Sequence, residues 1–168
     1  MLIGDLGFGV IFAGLGIIYL LAVAIPLART DIREFRLPNR LVLPAIPIAL
    51  FGQLLASALT NQWHRVAWSM AISLAVFVCT VLISLRGLMG MGDAKLITAI
   101  ALCLAWFDPT LPLLAIFAAF VLASGYLLFR LARKRLSRGE TLALGPYLLI
   151  GFALASSAQL VLLRWPGH

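Results

Sequence analysis

The sequence predicts an all-α integral membrane protein, a bundle of about six transmembrane helices with the N-terminus outside and a short fourth helix. Three observations indicate this class: the composition, the long apolar runs and the one-sided distribution of basic residues. Of the 168 residues, 63% are hydrophobic and 11% are charged, and the mean hydropathy is +1.09. Soluble domains contain only about 45–50% apolar residues. The length indicates a single polytopic domain over residues 1–168.

Each long apolar run is a candidate membrane span. A helix needs about 20 apolar residues to cross the hydrocarbon core, and Pro, Gly or charged residues separate the runs. The first run is longer than the apolar region of a cleavable signal peptide, about 7–15 residues, so we expect it to be retained. The predicted spans cover residues 6–28, 41–59, 66–85, 96–107, 110–129 and 142–163.

The basic residues predict the orientation. Eleven of the 13 lysine and arginine residues lie in the loops that follow the first, third and fifth spans, and only Arg65 and Arg164 lie on the other side. The positive-inside rule therefore places the N-terminus outside and these three loops in the cytoplasm. We expect a multi-pass protein of the cytoplasmic (inner) membrane.

The basic residues also indicate the partners. The formal net charge is +7, but the basic residues form no stripe with interleaved aromatic residues, so we expect no nucleic-acid partner. The stretch at residues 130–138 is typical of an anchor to anionic lipid headgroups. A substrate-docking loop is the alternative interpretation of that stretch.

The fourth apolar run is short. Residues 96–107 would rise about 18 Å as a helix, against a hydrocarbon core of about 30 Å. Either the outer end at Asp108-Pro109 stops short of the surface, or the cytoplasmic end begins below the headgroups and submerges Asp93. An ionisable group at such a depth is a candidate functional residue.

The sequence lacks the sets of residues that most kinds of hydrolase use for catalysis. The two histidines, His64 and His168, lie in an outer loop and at the terminus, so no Ser-His or Cys-His pair and no metalloprotease helix is predicted. Cys79 and Cys103 are isolated within apolar runs, and no glycine-rich phosphate-binding loop is present. We therefore expect no metal and no cofactor.

Carboxylates remain as candidate catalytic groups. Only Asp31 and Asp93 lie on the cytoplasmic side, near a span edge and beside distinctive neighbours. A Pro-Asn pair that can start a helix follows Asp31, and Gly90 and Gly92 precede Asp93. The sequence contains six acidic residues in all: Asp5, Asp31, Glu34, Asp93, Asp108 and Glu140.

Each of these residues also has a simpler interpretation. Asp93 can be the N-cap of the fourth helix. Asp31 has four arginines nearby and can form a solvated ion pair. Lys95 can be a membrane anchor, or a charge that tunes Asp93, and Asn39 can cap the helix that follows it.

Two motifs together point to one family. Asp31-Ile-Arg-Glu-Phe-Arg-Leu-Pro38-Asn39 and Gly90-Met-Gly92-Asp93-Ala-Lys95-Leu resemble the type IV prepilin peptidases, membrane aspartic peptidases with a G-x-G-D signature. Leu37 stands where isoleucine is common in that family, and Gly145-Pro146-Tyr147-Leu148 is similar to the start of its last helix. The resemblance implies that Asp31 and Asp93 are the catalytic pair. The other motif residues then support the site or let substrate approach it: Gly90, Gly92, Lys95, Pro38 and Asn39.

The resemblance is to the short, peptidase-only form found with Flp/Tad-type pili, and also to archaeal preflagellin peptidases. Because the paired cysteines of the larger relatives are absent, no methyltransferase activity is expected. The implied substrate is a prepilin-like protein, cut at the cytoplasmic face between a short basic leader and its hydrophobic helix. The spacing of the two aspartates does not show that they meet, nor which of them is the base.

Two other classes remain as alternatives. A proton-coupled transporter also places aspartates in short or broken helices, although no paired repeat is visible in the sequence. A non-catalytic membrane subunit of a pilus or secretion assembly would use the bundle as a scaffold.

Overall fold

A computed structural model of the chain describes residues 9–133 and 143–164, with side chains up to residue 159. Within these ranges every regular element is helical, which confirms the all-α class. Several residues considered in the sequence lie outside the described ranges: Asp5, Lys134, Arg135, Arg138, Glu140 and His168. The helices are α1 (Leu15–Glu34), α2 (Asn39–Val42), α3 (Ala45–Thr60), α4 (Trp63–Leu85), α5 (Met91–Ala105), α6 (Leu111–Ala132) and α7 (Gly145–Arg164).

Four helical segments of the described chain are long and apolar enough to cross a membrane. One of them, Asn39–Thr60, combines α2 and α3, and the other three are α1, α4 and α6. This agrees with a membrane protein. The count of six spans and the outward N-terminus stay predictions.

The first long helix extends further than its apolar run. The prediction ended the span at residue 28, but α1 continues to Glu34 and contains Asp31 in its last turns. Leu27 and Asp31 are one turn apart on the buried face, whereas the neighbouring arginines are exposed, so the charged residues extend the helix rather than end it. Phe35, with φ of 49°, ends α1 in the left-handed region.

The short helix α5 is the centre of the bundle. It packs against α1, α2, α3, α4, α6 and α7. Most of its residues beyond the first turn are buried, and many of them are small. With 15 residues, α5 rises about 22 Å. It starts five residues before the predicted apolar run, because Met91, Gly92 and Asp93 form its first turn.

A buried polar network closes the far end of α5. Gln53 of α3 is fully buried, and its Nε2 donates to the carbonyl of Leu102 at 2.7 Å. Ser69 of α4 donates to Oε1 of Gln53 at 2.8 Å. The last carbonyls of a helix lack partners within it. The network therefore gives the Leu102 carbonyl a hydrogen-bond donor in otherwise apolar surroundings. The network ties α3, α4 and α5 together.

Close packing of α6 on α7 sets the position of the last helix. Ala115, Ala119 and Ala123 of α6 are buried. A Cβ built on Gly151 of α7 would collide with the Ala115 carbonyl oxygen and lie 2.9 Å from the Ala119 nitrogen. Small residues at such spacing let helix backbones approach closely in membranes. The packing holds the first turn of α7 beside α1.

Candidate active site

Asp31 and Asp93 come together in the fold. Both line a cavity of about 390 Å³ and a second cavity of about 600 Å³. Phe35 and Gly90 also border both cavities. The two carboxylates, far apart in the sequence, therefore face common space at one end of the bundle.

The Asp31 carboxylate is buried and held by a backbone amide. Its side chain is 4% exposed, and Oδ2 accepts a hydrogen bond of 2.9 Å from the N–H of Gly145 at the start of α7. The interpretation of Asp31 as a solvated ion pair is therefore wrong. The extended α1 turns this carboxylate inward while Arg29 and Arg33 stay at the surface.

Asp93 lies inside the first turn of α5 rather than at its N-cap. Gly90 is the N-cap residue, so the N-cap interpretation of Asp93 is wrong by three positions. The half-buried Asp93 carboxylate interacts with the backbone amide of Gly90. This is the contact that the third residue of a helix makes in a capping box. It fixes the side chain beside the two cavities.

The glycines of the second motif have different surroundings. A Cβ on Gly90 would lie 3.2 Å from Oδ2 of Asp93, so Gly90 sits directly against the carboxylate. A Cβ on Gly92 would lie 3.1 Å from the Leu37 Cβ. Gly92 therefore lets the start of α5 pack on the segment before α2. Substrate approach at Gly90 and Gly92 stays a prediction.

The remaining motif residues join α2 to α5. Pro38 is the N-cap residue of α2, and the prediction that Asn39 caps this helix is wrong, because Asn39 is its first residue. Instead, Asn39 Oδ1 accepts a hydrogen bond of 3.0 Å from Lys95 Nζ. Asn39 and Lys95 both line the smaller cavity, together with Arg36.

The sequence did not single out several residues around the carboxylates. In the sequence, Gly145 is part of a helix start similar to that of the family, and its Gly-Pro pair before an apolar run signals a helix N-terminus. Nothing in that pattern indicates its contact with Asp31. Phe35 carried no signal, since its positive φ is a property of the folded chain. The other apolar residues of the larger cavity are Leu88, Met89, Phe120, Ala143 and Leu144.

The part of the chain that the structure describes contains no group of three or more His, Cys, Asp or Glu residues that could hold a metal ion. Among the described residues, the titratable groups that line both cavities are the carboxyl groups of Asp31 and Asp93. One charged and one protonated carboxyl can together take a proton from water and give one to a carbonyl oxygen.

Comparison with known proteins agrees with the two motifs. The model of the type IV leader peptidase family matches residues 7–128, which include both aspartates. Comparison with curated proteins and with solved structures gave no match. The match covers well over half of the chain and confirms the resemblance drawn from the two aspartate motifs. The chain belongs to the type IV leader peptidase family.

Proposed function

We propose that this protein is an aspartic endopeptidase that removes the short basic leader from prepilin-like proteins, with Asp31 and Asp93 as its catalytic pair. The observation that carries the proposal is that both carboxylates line the same two cavities. Membership of a leader peptidase family supports the reaction class.

Two neighbouring carboxyl groups divide the work of peptide hydrolysis. Like charges in a partly buried site repel, so one carboxyl retains its proton while the other is ionised. The ionised group deprotonates a water that attacks the scissile carbonyl. The protonated group donates a hydrogen bond to the carbonyl oxygen and stabilises the charge that develops there.

The larger cavity suits the apolar side of such a substrate. Apart from the two aspartates, the described residues that line it carry no charge, and Leu88, Met89, Phe120 and Leu144 are among its apolar side chains. A segment that enters the hydrophobic helix just after the cut would bury its side chains there.

The smaller cavity has a different character, because it carries Arg36 and Lys95. These cations repel a basic leader. In this proposal anionic lipid headgroups and the acidic residues that the sequence places on the same side of the membrane, Glu34 and Glu140, offset that repulsion. The two cavities thus present different surfaces to a peptide bound at the carboxylates.

The cellular setting is part of the proposal. The sorting of basic residues supports an inner-membrane protein whose carboxylates face the cytoplasm. The resemblance of the two motifs supports a role with Flp/Tad-type pili.

The experiment that tests this function is co-expression with a probe protein. The probe carries a short Lys/Arg-rich leader followed by one apolar helix, and its mass is measured after purification. The proposal predicts a product that has lost the leader at a single site. An intact probe at matched expression, together with proton flux in liposomes under a pH gradient, would favour the transporter alternative instead.

A further inference from the structure

Among the hydrogen bonds described above, one joins a catalytic candidate to a residue outside the family match. The donor of that bond is Gly145. Its N–H reaches Oδ2 of Asp31 at 2.9 Å, across 114 positions of the sequence. We propose that Gly145 is a positioning residue that keeps Asp31 ionised, which makes Asp31 the base of the pair and Asp93 the proton carrier. This inference rests on the proposed function.

The start of α7 leaves this amide free to point outward. The N–H groups of Tyr147 and Leu148 both donate to the Leu144 carbonyl, at 3.1 Å each. Pro146 has no N–H. In this turn the Gly145 N–H is therefore the donor that bonds to another helix. The 20-residue helix α7 also contributes the positive end of its dipole at this contact.

A side chain at position 145 would push against the Asp31 carboxylate. A Cβ on Gly145 would lie 2.6 Å from Oδ2 of Asp31 and 3.0 Å from its Cγ. Asp31 is 4% exposed, so burial opposes its charged form, and the Gly145 N–H is the described contact that offsets this cost. A buried carboxylate that accepts a backbone N–H gains selectively in its charged form.

Both carboxylates contact a backbone amide at a helix N-terminus, Asp93 that of Gly90 in its own helix and Asp31 that of Gly145 in a different helix. Asp93 is half-buried and faces Asp31 across shared cavities, so a charge fixed on Asp31 favours the protonated form of Asp93. Arg36 and Lys95 line the smaller cavity with both aspartates. Among the described residues of the helices that pack on α1, α3 has no titratable group, α2 has Arg40, and the first turn of α7 has Tyr147.

The assignment gives a balanced reaction. Asp31 takes a proton from water as the water oxygen bonds to the carbonyl carbon, and Asp93 gives its proton to the carbonyl oxygen. The proton on Asp31 then goes to the leaving nitrogen as the C–N bond breaks. Asp93 recovers a proton from a hydroxyl of the intermediate, so both groups return to their starting states.

Two substitutions at one position test the role of the N–H. Gly145→Ala and Gly145→Pro both add a Cβ, but only proline removes the donor, and proline is tolerated in the first turn of a helix. We measure kcat/KM for the basic-leader probe against pH in detergent. Gly145→Pro should move the acidic limb to higher pH by about one unit or more, because a hydrogen bond to a charged group is lost. Gly145→Ala should move it less.

Gly125→Ala is the matched control, since a Cβ there meets no atom within 4 Å, and it should keep the wild-type profile. A uniform loss of activity in Gly145→Pro with an unshifted limb would overturn the proposal and leave a structural role. If wild-type protein does not cut the probe, the proposed function fails instead, which is a separate result.

A second measurement needs no substitution at Gly145. In wild-type protein labelled with ¹³C at the aspartate carboxyls, the signals missing from Asp31→Asn and Asp93→Asn identify the two groups. As the pH is lowered, Asp93 should become protonated before Asp31. The reverse order would overturn the proposal even if both Gly145 variants failed to fold.

Discussion

Lys95 Nζ donates a hydrogen bond of 3.0 Å to Asn39 Oδ1, across 56 positions of the sequence. The bond joins the N-terminal parts of α5 and α2, beside the cavity that both aspartates line. It connects the two motifs that the family resemblance depends on. The position of Asp93 therefore depends on α2 as well as on its own helix.

Removing either partner of this bond should loosen the start of α5. We expect Asn39→Ala and Lys95→Met each to lower kcat/KM severalfold, with a coupling energy of about 0.5–1.5 kcal/mol in the double-mutant cycle. Cleavage of the basic-leader probe by the four proteins measures this coupling. Strictly additive effects would show that the bond does not contribute.

Gly92→Ala should disturb the contact between α5 and the segment before α2. The new Cβ would lie 3.1 Å from the Leu37 Cβ and 3.4 Å from the Leu37 nitrogen, so the two segments must separate slightly. We expect a loss of about 1 kcal/mol in stability and reduced kcat/KM. Thermal unfolding in detergent checks the first effect. An unchanged melting temperature with full activity would contradict this packing role.

Gln53→Leu should destabilise the bundle without touching the carboxylates. It removes the Gln53 donor from the Leu102 carbonyl, and it leaves the Ser69 hydroxyl with the Val66 carbonyl of its own helix as its acceptor. We expect a loss of about 1–3 kcal/mol in the free energy of unfolding, measured as a lower Tm in detergent. Ser157→Ala is the control, because the exposed Ser157 hydroxyl bonds only to Leu154 of its own helix among the contacts described. Equal Tm values for both variants would contradict the network's role.

The turn before α6 should show a pH-dependent contribution. The Thr110 hydroxyl and backbone N–H donate to Asp108 Oδ1 at 2.6 Å and 2.7 Å, and these bonds lower the pKa of Asp108. A lowered pKa in the folded state stabilises the protein above the ordinary value of 3.8. This contribution is lost as the pH falls through the lowered value.

Asp108→Ala should therefore lower the Tm slightly at pH 7. The loss in the free energy of unfolding should be less than about 1 kcal/mol, because the group is exposed. The difference from wild type should shrink in strongly acidic buffer. A difference that grows on acidification would contradict the assignment of these bonds.

The sequence predicted the membrane class and the two aspartates through composition and motif spacing, which are local properties. It placed Asp31 in a loop, because charged residues ended the apolar run, whereas α1 buries Asp31 on one face and exposes Arg29 and Arg33 on the other. Apolar runs mark where lipid or core is contacted. They do not mark where a helix ends.

Contacts between distant segments had no local signal. The Gly145 bond to Asp31 and the Gln53 bond to Leu102 both depend on how helices pack in three dimensions. The same is true of Lys95, whose partner Asn39 looked from the sequence like a helix cap. Contacts set by such packing were missed or misassigned, even for Asn39 and Lys95, which belong to the two motifs.

The central claim is that Asp31 and Asp93 act as a catalytic pair, and Asp→Asn substitution tests it most directly. The Asn amide oxygen can still accept a hydrogen bond from the Gly90 N–H, so Asp93→Asn should fold normally, and each variant should lose at least about 10³-fold in kcat for cleavage of the basic-leader probe. Asp108→Asn, a carboxylate outside the two cavities, is the control and should stay active. Purified Asp31→Asn or Asp93→Asn that still trims the probe at the wild-type rate would contradict the account.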